Sequence, residues 1–196
     1  MRLGLEATLD APLLAYLALL QKWNAAYNLT AIREPEQMLG LHLLDSLSIL
    51  PQVEGERLVD IGSGAGLPGI PLAIARPQLA VSLVEPVGKK ARFLREVVRQ
   101  LRLTNVRVFD CRAEQVDEPA TYDCLSARAL GSLAQLIAFG GHLLRPGGRL
   151  LAMKGQWPAE ELAALPAGWV MDGSQRLAVP EVEGERHLLV LKREAA

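Results

Sequence analysis

Residues 57–69 read RLVDIGSGAGLPG. Arg57 to Ile61 form a short apolar run interrupted by one aspartate, and glycines, small residues and a proline follow. Aliphatic and β-branched side chains suit a buried strand. Glycines let a chain turn sharply and bring its backbone close to a ligand. The stretch therefore predicts a strand ending at Ile61, a tight loop from Gly62, and a helix from Gly69.

The pattern repeats outward from this unit. Short apolar runs predict further strands at 79–84, 106–109, 122–126 and 149–153, with two more near 175–179 and 187–191. Helical segments are expected at 69–75, 89–101 and 132–139, with a short one after Arg112. Strands separated by helices imply βαβ units and a doubly wound, mostly parallel sheet of seven strands. The last two strands have no long helix between them, so they should form an antiparallel hairpin at one edge. Residues 1–50 are expected to be helical instead. Asp10 can cap a first helix with Pro12 just inside it, and Leu13, Tyr16, Leu17, Leu20, Trp23 and Tyr27 recur at helical spacing. A second helix should run from Pro35 to about Leu50, where Pro51 stops it.

Composition bounds the rest. Half of the 196 residues are hydrophobic, enough for one α/β domain and a small extension with a real core. The expected division is a helical extension over 1–52 and an α/β domain over 53–196, packed as one unit. Formal net charge is −1, so any basic surface must be local. Cys111 and Cys124 form no CxxC pair and no metal-like cluster with His42, His142 or His187, so no metal is expected. The N-terminal MRLGLEATLD lacks the basic flank and apolar core of a signal peptide. No apolar run reaches the roughly 18 residues of a membrane span. These features predict a cytoplasmic chain with no membrane partner, and a monomer.

In a doubly wound sheet, ligands sit beyond the carboxyl ends of the strands where strand order reverses. The loop after the first strand is therefore the natural cofactor site, and two cofactor classes compete for it. Gly64, Gly66 and Gly69 make a GxGxxG, and Glu85 follows at about the distance a dinucleotide ribose requires. Yet the glycine directly after the strand is Gly62, so the fitting register is DIGSGAG over 60–66. Pro68 also lacks the N–H that a pyrophosphate would want. Asp60 suits a cofactor carrying sulfonium and ammonium charges, directly or through water, better than an anionic one. The stretch 144–150, LRPGGRL, resembles a loop common in S-adenosylmethionine enzymes of this fold. The methyl donor is favoured over a dinucleotide, with an RNA-binding module that keeps only the fold as a third reading.

The resemblance extends further. KWNAAYNLT (22–30), HLLDSL (42–47), DIGSGAGLPGIP (60–71), SARA (126–129), MKGQ (153–156) and GERH (184–187) occur in that order over nearly the whole chain. Together they resemble the bacterial ribosomal RNA small subunit methyltransferase G family, also called glucose-inhibited division protein B. The resemblance implies S-adenosyl-L-methionine-dependent methylation of N7 of one guanine, position 527 of 16S ribosomal RNA, in free RNA or a small-subunit particle. It implies that Gly62 and Leu67 flank the methionine part of the cofactor, with Gly64 in the same loop. It places Ala113 and Glu114 beside the adenine and Arg128 in the cofactor site. Relatives carry aspartate where this chain has Glu85, whose longer acid should still reach a ribose.

Guanine N7 has a free lone pair and no proton to lose, so no general base is required and none is assigned. Arg128 is the candidate to touch both cofactor and base, with an ion pair to an acid as its alternative. RNA contacts need local cations. Arg92, Arg95, Arg99 and Arg102 recur on one side of the helix expected at 89–101, either as an ordinary solvated face or as a phosphate stripe. Arg33, Lys89, Lys90, Arg92 and Lys154 are the RNA candidates, with Gln156 beside Lys154. Trp23 reads as core, while His42 and Asp45 stand between packing and the substrate pocket.

Overall fold

A computed structural model describes residues 9–180 and 182–194. Helix α1 (Asp10–Tyr27) is followed by a helical rod made of α2 (Pro35–Met38), a π-helical stretch (Leu39–Leu44) and α3 (Asp45–Leu47). The α/β part then runs β1 (Arg57–Ile61), α4 (Gly69–Ala75), β2 (Ala80–Val84), α5 (Gly88–Leu101), β3 (Val106–Phe109), β4 (Tyr122–Arg128) and α6 (Leu133–Gly140). It ends with β5 (Leu144–Lys154), α7 (Ala159–Ala163), β6 (Trp169–Arg176) and β7 (His187–Arg193). Ser132 caps α6 through a reciprocal pair with Gln135, the side-chain substitute for helical N–H partners that such ends need.

All seven strands join one sheet in the order β3-β2-β1-β4-β5-β7-β6. β1 to β5 pair in parallel, and β7 lies antiparallel between β5 and β6. Strand order reverses between β1 and β4, so this is where a ligand crevice opens. β1 and β2 are buried at four of five positions on both faces, as parallel strands covered on both sides must be. One face packs Leu58, Leu83 and Met153 against α1, α4 and α5; the other packs Val59, Ile61 and Leu125 against Leu133 and Leu136 of α6. Tyr16, Leu20, Met38 and Leu47 of the N-terminal helices belong to the same buried cluster as Ile70 and Leu94. Trp23 packs on that cluster, its ring 5.7 Å from Phe93.

Three expectations are corrected. Asp10 is not the cap: Leu9 holds that position without a side-chain bond, and Asp10 is the first helical residue, where its charge faces the positive helix end. The second helix is not a uniform α-helix to Leu50. Its middle is π-helical and its α-helical part ends at Leu47, with a separate 3-10 turn at Leu50–Gln52. LRPGGRL lies away from the ligand edge. It forms the bulged start of β5, at the amino end of the strand and so at the opposite edge of the sheet from the crevice. β6 begins at Trp169, upstream of the expected start, and α7 was not expected. Its five residues carry too little periodicity to stand out. Among the described residues, no helix is long and apolar enough to cross a membrane.

Candidate active site

The glycine loop at the end of β1 is held from four directions. Ser63 donates its hydroxyl to Asp60 O at 2.7 Å and its N–H to Val84 O, tying the loop to β2. Glu85, buried at the end of β2, accepts from Gly64 N at 2.7 Å and from Val87 N at 2.9 Å. Each of its oxygens keeps a second lone pair, so the carboxylate still suits a vicinal diol. Tyr16 of α1 reaches over and donates its hydroxyl to Ala65 O at 2.7 Å. Gly62 sits at φ +63°, and a Cβ built on it would stand 2.5 Å from Cδ1 of Leu130.

Asp60 does not face the crevice. Its side chain is fully buried, accepting from Ser126 Oγ at 2.8 Å and from Gly69 N at 3.2 Å. It therefore clamps β1 to β4 and to the start of α4, correcting the expectation that it meets a cationic cofactor. A Cβ on Gly69 would come within 2.9 Å of Asp60 Oδ2, which explains a glycine at that helix start. Burial pushes the Asp60 carboxyl up to about 6, against the opposing hydrogen bonds from Ser126, Gly69 and Ser63. A folded-state value above the unfolded one means that this group stabilises the fold below about pH 4 and that the contribution is lost as pH rises through about 6. Replacing Asp60 by Asn should remove that slope. Denaturant melts at pH 4, 5, 6 and 7 would check it, and an unchanged slope would exclude Asp60 as its source.

Two cavities open at the carboxyl edge of the sheet. The smaller, about 110 Å³, is lined by Gly62, Val84, Ala113, Glu114, Leu130 and Phe139 among others. The structure thus brings together Gly62, Ala113 and Glu114, residues distant in sequence, and Glu85 stands beside them between Val84 and the lining residue Pro86. Apolar walls edged by Arg112 and the carboxylates of Glu114 and Glu85 fit an adenosine moiety. Gly64 lies in the same loop, but the Leu67 side chain is buried in the core, so Leu67 offers the crevice only its main chain.

The larger cavity, about 250 Å³, is lined by Asp45, Arg128, Met153, Lys154, Glu185 and Arg186, with Ala129, Gly131 and His187. Segment 128–131 divides the two: Leu130 lines the smaller, while Arg128, Ala129 and Gly131 line the larger. Arg128 is accordingly displaced from the Gly62 cavity, drawn by a 3.0 Å ion pair with Asp45 and a 3.1 Å bond to Leu41 O. Asp45 also holds Arg186 at 3.2 Å, so one buried carboxylate anchors two arginines from different strand ends. His42 is buried, with Nε2 3.0 Å from Thr30 Oγ1. Burial, aided by Arg128, lowers its pKa to about 4 and keeps it neutral.

Lys154 lines this cavity without being free in it. Nζ donates to both oxygens of Glu161, at 3.0 and 2.8 Å, and to Gly131 O at 2.6 Å. Glu161 in turn accepts from Leu133 N. Lys154 is thus a strut for the loop between β4 and α6, its charge paired with the α7 carboxylate. The other RNA candidates lie outside both cavities. Lys89 and Arg92 are exposed and Lys90 half-buried at the start of α5, and Arg33 is exposed and bonded to Asn28. Arg92 donates to Gly88 O, Arg95 pairs with Asp110, and Arg99 pairs with Glu96. The arginine stripe is therefore partly neutralised on its own surface. Gln156 is exposed.

Sequence reading gave no role to Tyr16, Ser126, Leu130, Glu161, Glu185 or Arg186. The GERH motif was the available signal for the last two and SARA for Ser126; the others carry no local pattern that distinguishes them from packing.

The model of the family described as rRNA small subunit methyltransferase G matches residues 10–189. This chain belongs to that family. It is 61% identical over 190 residues to a ribosomal RNA small subunit methyltransferase G of Xanthomonas euvesicatoria, covering 97% of this chain and 90% of that one. A Stenotrophomonas maltophilia protein of the same name is 59% identical over 189 residues, covering 96% and 89%. Solved structures of methyltransferases share this chain's fold. A Burkholderia thailandensis 1,6-didemethyltoxoflavin-N1-methyltransferase, solved with its substrate and S-adenosylhomocysteine, aligns with TM-score 0.61 at 17% identity over 92% of this chain and 90% of its own. An Aquifex aeolicus S-adenosylmethionine-dependent methyltransferase gives 0.60 at 18% identity, over 79% and 92%.

Proposed function

We propose that this methyltransferase G family chain transfers a methyl group from S-adenosylmethionine to N7 of the guanine at position 527 of 16S ribosomal RNA. It does so as a cytoplasmic monomer, on free RNA or a small-subunit particle. The observation that carries this reading is the pair of cavities at the switch point, divided by segment 128–131. Gly62, Ala113, Glu114 and Glu85 bound the cofactor side, while Asp45, Arg128 and Arg186 bound the base side. When bound, S-adenosylmethionine supplies the electrophilic methyl group.

The chain's own residues then have three tasks. Glu85 and the main chain of the loop through Gly62, Gly64 and Leu67 hold the cofactor. Segment 128–131 keeps the two ligands in fixed relation, which is how orientation lowers a barrier. Arg128 and Arg186, fixed by Asp45, present oriented donors that need no rearrangement during the reaction. No group needs to remove a proton, because N7 carries none. The target base must leave its stack to enter the cavity, which is cheapest in an unpaired loop. Arg33, Lys89, Lys90 and Arg92 lie on the surface available to the phosphates. The extension over 1–52 acts as one unit with 53–196, supported by the core they share.

Small subunits from cells lacking this protein should accept one methyl from labelled S-adenosylmethionine, located by mass spectrometry at N7 of that guanine. No incorporation into either free RNA or subunits would overturn the reading. Calorimetry should also detect S-adenosylhomocysteine and not NAD.

A further inference from the structure

The larger cavity holds three cations and two carboxylates, and most of their bonds are already made within the protein. Lys154 is held by Glu161 and Gly131 O. Asp45 holds both arginines, Arg128 also meets Leu41 O, and Arg186 donates to Glu183 O and Gly184 O. Glu185 differs. Its side chain is 55% exposed, and among the described residues the basic side-chain nitrogen beside it is His187 Nε2, 3.5 Å away. That nitrogen is shielded from solvent and has no hydrogen-bond partner among the described residues. Glu185 is therefore the cavity carboxylate left to accept bonds from a ligand.

Its place in the sheet matters as much. Across the carboxyl edge, the dividing wall belongs to the end of β4, Met153 and Lys154 to the end of β5, and Glu185 to the residues just before β7. Since β5 lies between β4 and β7, Glu185 stands on the side of the cavity away from the Gly62 loop. A base whose reacting atom faces the wall leaves its other edges toward the rest of the cavity, where Glu185 stands. In guanine the Watson–Crick edge, next to the N7 edge, carries N1–H and the 2-amino group side by side, two parallel donors that match a carboxylate. Adenine presents an acceptor at N1, and the pyrimidines have no such adjacent pair.

We infer that Glu185 accepts these two hydrogen bonds and selects guanine. The inference rests on the functional reading above. It also has a consequence for the chemistry. As the N7 lone pair forms the new N–CH3 bond, the C–S bond breaks with its electron pair left on sulfur, and the purine takes on a unit positive charge. No proton moves. A carboxylate on the Watson–Crick edge of the ring favours that charge more than it favours the neutral base, which is the differential binding that catalysis requires.

Unmethylated small subunits, native or reconstituted with inosine at the target position, provide the test. Inosine keeps N1–H and N7 but lacks the 2-amino donor. Glu185→Ala should lower kcat/KM on guanine subunits by roughly 10- to 100-fold, the loss expected for a charge-assisted pair. S-adenosylhomocysteine affinity should stay within about twofold of wild type, which also reports that the variant is folded. The wild-type chain should prefer guanine over inosine by about tenfold, and Glu185→Ala should lose that preference. A variant that matches wild-type kcat/KM within about twofold, or that keeps the preference, overturns the inference. A wild-type chain that methylates no guanine N7 would instead overturn the function on which it rests.

Discussion

Gly62→Val is expected to weaken S-adenosylhomocysteine binding by about 100-fold or more while leaving the chain folded. Two effects combine at this position. The backbone stands at φ +63°, a region that a β-branched residue enters at a cost of about 1–3 kcal/mol. The new Cβ would also lie 2.5 Å from Leu130 Cδ1 and 2.9 Å from its Cδ2. Leu130 is a flexible side chain and will move, but it lines the cavity that Gly62 lines, so relief of the clash fills space the cofactor needs. Gly147→Val separates the two effects. Gly147 is at φ +76° with nothing within 4 Å of a built Cβ, and it lies at the far end of β5. It should show a comparable loss of stability and no loss of affinity. Calorimetric titration beside a thermal melt reads both; equal affinities for the two variants would remove the glycine loop from the cofactor site.

Asp45→Ala should destabilise the fold by about 3 kcal/mol. The Asp45 side chain is only 9% exposed and carries Arg128 and Arg186, themselves 22% and 18% exposed. Removing one partner of a buried pair costs about 3–5 kcal/mol because the charge left behind is uncompensated. Here two charges are left, but both retain carbonyl acceptors and some solvent, which puts the expectation at the lower end. For a chain of this length the melting temperature should drop by about 6–12 °C. Arg186→Met alone should be destabilising, yet in the Asp45→Ala background much less so, since the arginine is then already unpaired. Strict additivity of the two losses would mean that the pair is not coupled. In the proposed function the same anchor sets the base side of the site, so the fall in methyl transfer should exceed what the lost stability explains at 25 °C.

The strand, loop and helix over 57–75 were readable because their determinants are local. An apolar run, a glycine at the turn and a helix-compatible tail act within a few residues of one another. The same holds for the parallel strands through β4 and for Gly69–Ala75, which the structure reproduces. The π-helical stretch at Leu39–Leu44 has no such signature: its Leu41 carbonyl faces Arg128, a partner 87 residues away. Lys154 illustrates the same limit from the charge side. Its position at the end of a strand was predictable, but its neutralisation by Glu161 depended on α7, a helix too short to be read.

By itself, then, the sequence determined the fold class, the register of the cofactor loop with Gly62 directly after β1, and the family resemblance, because these rest on residue order and short-range geometry. Tertiary structure decided which charges are free to act. It turned Asp60 inward to Ser126 and Gly69, tied Arg128 and Arg186 to Asp45, placed Tyr16 on the glycine loop, and left Glu185 with open lone pairs. Hydrogen bonds and ion pairs act over about 3 Å, whereas most of these partners stand tens of residues apart in the chain, so only folding brings them within range.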